Sequence, residues 1–469
     1  MLRENGAPPA PPLEESRSPA AAVAGATPAP SGASAAVERD RRVDHGRQAP
    51  RVRFAPALPA MLDSFRIRSF RSQWAADAVG TWAGEMETLV LAWYVLVDTN
   101  SPLLVGLVGA LRFGGTLLAP LHGVLADRVD RRLLLVALRL FHALRAAAIM
   151  ALALTGALEP WHAFVISGLG GLVRMGENVV RQSLLADVVP PRALLNAVSL
   201  SRTTQDLSKI IGTLAGAGLL ARLGLGPAYL GVTVLFVASA LLTLGVTAGE
   251  RVGRRAAEGP LANLRSGVAY MRRSPTIVAI MVLAFLVNLT VFPLTNGLMP
   301  VVARSVFGLG PTGLAALLAA ASAGALAGSL ALAALSRLER PQRLMVLSIV
   351  AWHALLLAFT RVDGLGVAVG VLAVYGAMQS GSMITMSAVL LGTVDAEYRG
   401  RVMGVRMMAV YGMPLGLLLG GYLSERFGVL PALTGLGVLG LAFTAAAALL
   451  WPSLLREGAG APARRVRLA

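Results

Sequence analysis

Five carboxylates and several guanidiniums of this 469-residue chain stand inside long apolar stretches, where charge is out of place. Glu85 and Glu87 fall near the middle of the first stretch and Asp77 nearer its start. Arg112 is mid-stretch in the second, Arg139 and Arg145 are in the third, and Arg174, Glu177 and Arg181 in the fourth. Arg202, Asp206 and Lys209 are in the fifth. A charge at the centre of a spanning helix costs about 2.5–3.5 kcal/mol on insertion scales, so such residues read as functional. A carboxyl withdrawn from water can load a proton near neutral pH and release it after a change of access, which is the chemistry of proton coupling. Glu85 is the first candidate, with Glu87, Asp77 and Asp206 beside it and Arg112, at similar depth, as the expected partner of Glu85. The plainer alternative is a static ion pair that fixes packing between the first two helices. Asp206 and Lys209, three residues apart, share a helix face and pair with each other. Arg139 and Arg145 lie on different faces, and at least one must reach a carboxylate or a wet cavity. His122 and His142 read as packing or hydrogen-bonding residues.

Other chemistry is excluded. The chain has no cysteine, so disulfides, thiolate metal sites and a cysteine nucleophile are absent. Its five histidines are scattered, with no pair at ligand spacing. No nucleophile–base pair is visible, so an enzyme is not expected; nor is a cofactor, the driving force being a proton gradient.

The elements that must position these residues are helices in a bilayer. The chain is 55% hydrophobic and 14% charged, with a mean hydropathy of +0.67, far from a soluble protein. A hydrocarbon core of about 30 Å needs about 20 apolar residues per helix. Twelve spans are predicted, at about 70–97, 103–126, 133–156, 160–186, 194–221, 227–248, 275–303, 311–335, 343–361, 366–392, 401–424 and 428–451. Lipid requires backbone groups to be satisfied within each segment, and Ala/Leu/Gly runs do that as helices. The net charge of +17 suggests nucleic acid at first. Placing the 42 basic residues changes that: 30 fall on the side of the two termini, four (Arg222, Arg304, Arg361, Arg426) opposite, and eight within spans. That distribution is a topology signal, which puts both termini in the cytoplasm of a multi-pass inner or plasma membrane protein.

The expected organisation is a disordered Pro/Ala/Ser-rich tail at 1–65, six spans at 66–248, a linker at 249–274, six spans at 275–452 and a short tail at 453–469. Leu261, Leu264, Val268 and Met271 at helical spacing, with Arg265, Arg272 and Arg273, predict a short amphipathic helix in the linker. The halves repeat weakly: LADRVDRR (125–132) aligns with ALSRLERP (334–341), and LLADVVPPRALL (184–195) with LLGTVDAEYRGR (390–401). Two parallel six-span repeats are a transporter plan, with the substrate near the midplane.

GVLADRVDRR (123–132), between the second and third spans, resembles the signature loop of the major facilitator superfamily. Gly123, Leu125, Ala126, Asp127, Arg128, Arg131 and Arg132 match it, while Asp130 stands where many members have Gly. Arg181 through Pro190 with Asn196, Arg399-Gly400-Arg401 through Gly404, and Leu264 through Pro275 resemble the efflux branch that includes macrolide and siderophore exporters, over about residues 66–455. The resemblance implies an all-α fold of two six-helix bundles. It also implies a cytoplasmic conformational gate of Gly123, Asp127, Arg128, Asp130, Arg131, Arg132, Asp187, Arg399 and Arg401. In it Asp127 contacts the eleventh span and Arg128 pairs with Asp187.

Small-residue pairs Gly212/Gly216, Gly324/Gly328 and Gly416/Gly420 let helices approach closely. The family places the fifth span against the eighth and the second against the eleventh, so these glycines are expected at the moving interface. IIGTLAGAGLL (210–220) is similar to an antiporter motif of drug exporters, with Thr213 in place of its Pro. The second half is nearly charge-free until Arg406, with Asn288, Asn296 and Gln379 its main polar residues. The expected function is proton-coupled efflux of a hydrophobic or amphipathic small molecule by a monomer in the lipid bilayer, with no nucleic-acid partner. The alternatives are import or uniport of a polar nutrient, or a non-transporting membrane accessory protein.

Overall fold

The computed structural model describes residues 63–118, 129–247, 260–334, 340–395 and 397–456, all belonging to one compact unit, Pro56–Ala469. Residues 1–62 of the expected tail (1–65), most of the C-terminal tail, and the signature residues Gly123, Asp127 and Arg128 lie outside the described residues.

Among the described residues all regular structure is helical. The first half comprises α1 (Arg68–Thr99), α2 (Pro102–Leu111), α3 (Arg131–Leu154), α4 (Pro160–Val188), α5 (Pro191–Leu223) and α6 (Leu225–Leu244). The linker helix α7 (Pro260–Arg272) follows. The second half comprises α8 (Pro275–Ser305), α9 (Pro311–Ala334), α10 (Pro341–Phe359), α11 (Leu365–Thr393), α12 (Arg399–Phe427) and α13 (Val429–Leu450). A final turn, α14, spans Ser453–Arg456.

Eight of these, α3, α6 and α8 to α13, are long and apolar enough to cross a membrane. Helices α1, α4 and α5 are as long, at 32, 29 and 33 residues, but carry the intramembrane charges that lower their hydropathy. The second expected span is described only as α2 and a 3-10 turn, Gly114–Leu118.

Local chemistry sets the helix starts. Ser101 caps α2 by accepting from the Leu104 amide, and Pro102 needs no N–H partner at the first helical position. Asp130 caps α3, accepting from the amides of Arg132 at 2.8 Å and Leu133 at 3.1 Å. The residue that departs from the signature loop is therefore a helix cap in this chain. Both halves make the same one-residue turn: Gly224 (φ +83°) joins α5 to α6, and Gly428 (φ +92°) joins α12 to α13. That left-handed region favours glycine.

Within the first half α1 packs on α5 and α6, and α3 on α6; within the second, α11 packs on α9 and α10. Between the halves α2 packs on α12 and α5 on α9, the pairing that the family resemblance implies. The linker helix docks on the start of α12. Tyr270 stacks on Tyr398 with ring centroids 4.4 Å apart and donates to Asp395 at 3.0 Å.

The glycines expected at the moving interface are placed elsewhere, which corrects that reading. A Cβ on Gly212 or Gly216 would press on Trp82, Glu85 and Met86 of α1. On Gly324 or Gly328 it would meet the α11 backbone at Ala373 and Ala377. On Gly416 it would meet Leu289 and Pro293 of α8, and on Gly420 Leu298 and Leu436. All six serve contacts within a half. The close approach between halves is made by Gly106 against the Leu417 carbonyl and by Gly421 against Pro102 and Leu103. Four-residue spacing marks a small helix face, but each helix has several neighbours and the spacing does not say which one that face meets.

Candidate functional site

Asp77, Glu87, Arg139, His142, Arg145 and Glu177 of the first half form one bonded network. Arg139 of α3, 1% exposed, donates to Asp77 of α1 and to Thr243, and lies 3.5 Å from Glu177 of α4. Arg145, two turns on, forms a bidentate pair with Glu87 at 2.8 Å for each bond and also donates to the Ile166 carbonyl at 3.0 Å. His142 sits between them. Its Nε2 is 3.3 Å from Glu177 and its Nδ1 is 3.0 Å from Arg145 Nη2. Phe236 of α6 stacks on the ring with centroids 5.3 Å apart. Both arginines thus reach carboxylates, and Glu87 and Asp77 are held in ion pairs. Periodicity separates residues 139 and 145 on α3, yet three helices curl around this face and offer acceptors on each side.

Glu85 is different. It is half-buried, and among the described residues nothing donates to it or pairs with it; the expected Glu85–Arg112 bond is not formed. Both residues line the cavity between the halves, which encloses about 1150 Å³, open solvent included. Arg174 reaches the same wall, its guanidinium 5.7 Å from the centre of the Phe113 ring. Asp206 lines it too, 3.6 Å from Lys209 and 3.7 Å from Arg202, the expected helix-face pairing. The opposite wall, from α8, α9 and α11, carries Leu314, Leu318, Ala321 and Ala325 with the neutral polar Thr295, Asn296, Ser322 and Gln379. The cavity is therefore charged on one side and uncharged on the other. A second cavity, inside the first half and lined by the bonded network, shares Glu85, Thr88, Arg112, Arg174 and Lys209 with it. Gly212 lets α5 approach α1 at this level: a Cβ there would lie 3.0 Å from Glu85 Cβ.

At the Arg131 end, Asp187 accepts two bonds from Arg131 Nη1, at 2.7 and 2.9 Å. Asp187 thus has Arg131 as its described partner, not the expected Arg128, which lies outside the described residues. Arg131 starts α3 and so faces the end of α4 directly. Arg132 donates to the Leu244 carbonyl, and Arg399 to Val394 at 3.3 Å. Arg401 lies over Tyr398 at 5.3 Å, and Arg406 donates to Ser387 at 2.6 Å.

At the opposite end two contacts between halves escaped the sequence reading. Glu425 of α12 accepts from the Ser101 hydroxyl and from the Leu103 amide, 3.2 Å away, at the start of α2. Arg304 of α8 donates to the Leu96 carbonyl at the end of α1, at 2.8 Å. The Ser101-Pro102 pair marks a helix start in the sequence, but nothing there says which acid reaches it.

Two helical halves closing on a cavity, with ionisable groups on one wall, define a membrane transporter of the major facilitator type. Residues 60–462 match the family model described as transmembrane secretion effector, and the chain belongs to that family. Macrolide efflux protein A of Streptococcus pyogenes is 22% identical over 367 residues, covering 77% of this chain and 90% of that one. The multidrug efflux pump Tap of Mycolicibacterium fortuitum is 26% identical over 369 residues, covering 75% and 88%. Among solved structures, the nucleoside transporter NupG superposes with a TM-score of 0.68 at 13% identity, covering 83% of this chain and 99% of that one. A bacterial homologue of the lysosomal transporter Spinster, inward-facing and unoccupied, gives 0.68 at 14% identity, covering 85% and 99%. At these identities the structural likenesses speak to fold alone.

Proposed function

We propose that the chain exports an amphipathic small molecule in exchange for protons, with Glu85 as the proton carrier and both termini in the cytoplasm. One observation carries this reading. Of the five intramembrane carboxylates, Asp77, Glu87, Glu177 and Asp206 are each held by a cation, while Glu85 faces both cavities with no bond or pair among the described residues. A carboxylate locked in an ion pair must break that pair to change its protonation; Glu85 need not. The two cavity walls suit a substrate with a polar end and an apolar body, and the efflux names of the sequence relatives support the outward direction. The orientation rests on the Arg distribution.

The test is transport by inverted vesicles under an imposed pH gradient, with a substrate panel that includes a macrolide. Glu85→Gln is expected to abolish proton-driven accumulation while leaving substrate binding in place. Unchanged accumulation removes Glu85 as carrier.

A further inference from the structure

Six basic and five acidic residues line the two cavities together, an excess of one positive charge. Most of them answer one another. Arg139 is engaged by Asp77 and Glu177, Arg145 by Glu87, and Lys209 by Asp206. Arg181 donates to Asn178 and acts on both Asp77 and Glu177. Two guanidiniums, Arg112 and Arg174, and one carboxylate, Glu85, are left over. Among the described residues neither guanidinium makes a hydrogen bond or an ion pair, and Arg174 lies over the Phe113 ring.

These three leftover charges share one place. A Cβ on Gly171 would lie 3.0 Å from Arg112 Cα, so α4 abuts the end of α2 there, and Arg174 follows one turn along α4. The two guanidiniums therefore stand on one seam of the wall, where each repels the other. Glu85 faces the same space from α1 and attracts Arg112 without bonding to it. The second half supplies no counter-charge: its described acids, Asp363, Asp395, Glu397 and Glu425, stand at or beyond helix ends. Charge left unpaired at membrane depth is costly and marks a substrate or ion pathway. A guanidinium fork matches the two oxygens of a carboxylate, and a free carboxylate matches an ammonium.

We propose that the substrate is a zwitterionic amphipath, of the kind a side-chain-modified amino acid represents. Its acidic group lies on Arg112 and Arg174, its ammonium on Glu85, and its apolar body against Leu314 and Leu318 of the opposite wall. The inference rests on the export reading above and names the substrate class of that same site. An ammonium and a proton compete for Glu85, which is the competition an exchanger needs, while the acidic group answers the two guanidiniums that no residue of the chain answers.

The test is binding of Nε-dansyl-lysine to the purified full chain in uncharged maltoside micelles, read by its fluorescence. This probe carries both charges. Its methyl ester keeps only the ammonium, its Nα-acetyl derivative only the carboxylate, and the acetylated ester neither. The zwitterion should bind about tenfold more tightly than either singly charged derivative, the low end for one charge-assisted hydrogen bond. The double variant Arg112→Gln, Arg174→Gln should erase the preference for acid over ester and keep that for amine over acetamide; Glu85→Gln should do the reverse. A singly charged derivative within twofold of the zwitterion on the parent chain overturns the proposal, and that comparison needs no variant to fold. A folded double variant that still prefers the acid overturns it too. A phosphatidylethanolamine headgroup carries the same two charges: displacement of the probe by that lipid in mixed micelles makes the substrate a lipid, and no displacement makes it a free molecule, the pair of charges being read in both cases. Binding needs neither a gradient nor a direction. A charge preference without proton-driven export would sink the exchange reading alone, and proton-driven export without a charge preference would sink this one alone.

Discussion

Removing Glu425 should loosen the halves at the end opposite Arg131. Its carboxylate accepts from the Ser101 hydroxyl and the Leu103 amide, so an acid on one half serves the positive end of a helix on the other. An exposed anion at a helix N-terminus is worth about 0.3–1 kcal/mol, and the additional hydroxyl bond about 1 kcal/mol. Glu425→Ala should therefore cost the closed arrangement about 1.5 kcal/mol, roughly tenfold in its ratio to the open one. Glu425→Gln keeps an acceptor and loses only the charge, so about threefold is expected. Arg304→Ala removes a cation from the end of α1 and adds about 1 kcal/mol. The double variant should then shift the ratio by roughly sixtyfold. The assay is pulsed electron–electron distance measurement on a chain spin-labelled at Asp98→Cys and Phe427→Cys, the sequence having no cysteine of its own, comparing the weights of short and long populations. The charge-dependent share should fade at about 1 M salt, where the Debye length is about 3 Å. A double variant within twofold of its parent at low salt would refute the reasoning, because the two contacts would then be no stronger than those the open state makes with water.

Gly421→Leu should favour the same opening by steric means, because a Cβ there already lies 2.9 Å from the Pro102 carbonyl; its effect on the spin-label distances should not respond to salt. Gly212→Leu, which presses on α1 within one half, should lower the melting temperature without that distance change. Asp130→Ala should destabilise the start of α3 by about 1 kcal/mol, while Asp130→Asn keeps most of it. Thermal unfolding in detergent separates the two, and equal losses would reject the capping role.

The sequence was legible where one physical rule dominates. Bilayer thickness and hydropathy outlined the helices, and the family loop led to the fold. Individual charges stood out in the sequence because burying charge in lipid is costly. Their partners were not. Glu85 sits beside Arg112 in depth, yet Asp77, Glu87 and Glu177 take the guanidiniums of α3, whose azimuth depends on how α1, α3 and α4 pack. His142 is the packing and hydrogen-bonding residue that the sequence suggested, but its partners Arg145, Glu177 and Phe236 were not readable there. The glycine pairs failed for the same reason: spacing reports a face, and Gly421, with no partner at four residues, makes the contact between halves. Asp130 gave a readable signal, an Asp just before an apolar helix, that the family comparison drew into a gating role.

The single-residue turns at Gly224 and Gly428 bear on how the chain enters the membrane. With one residue between two long helices, α5–α6 and α12–α13 are each a closed hairpin, and neither helix can be threaded without the other following at once. Both tips carry an arginine two residues before the glycine, Arg222 and Arg426. With both termini in the cytoplasm, as proposed, taking such a side chain across the bilayer centre costs about 2.5–3.5 kcal/mol on insertion scales. Helix α5 is poorly equipped to meet that cost, since Arg202, Asp206 and Lys209 already burden it. Helix α6, with a mean hydropathy of 1.9, is not. The helix that brings the cavity its Asp206–Lys209 pair thus depends for its own insertion on the greasy neighbour made just after it.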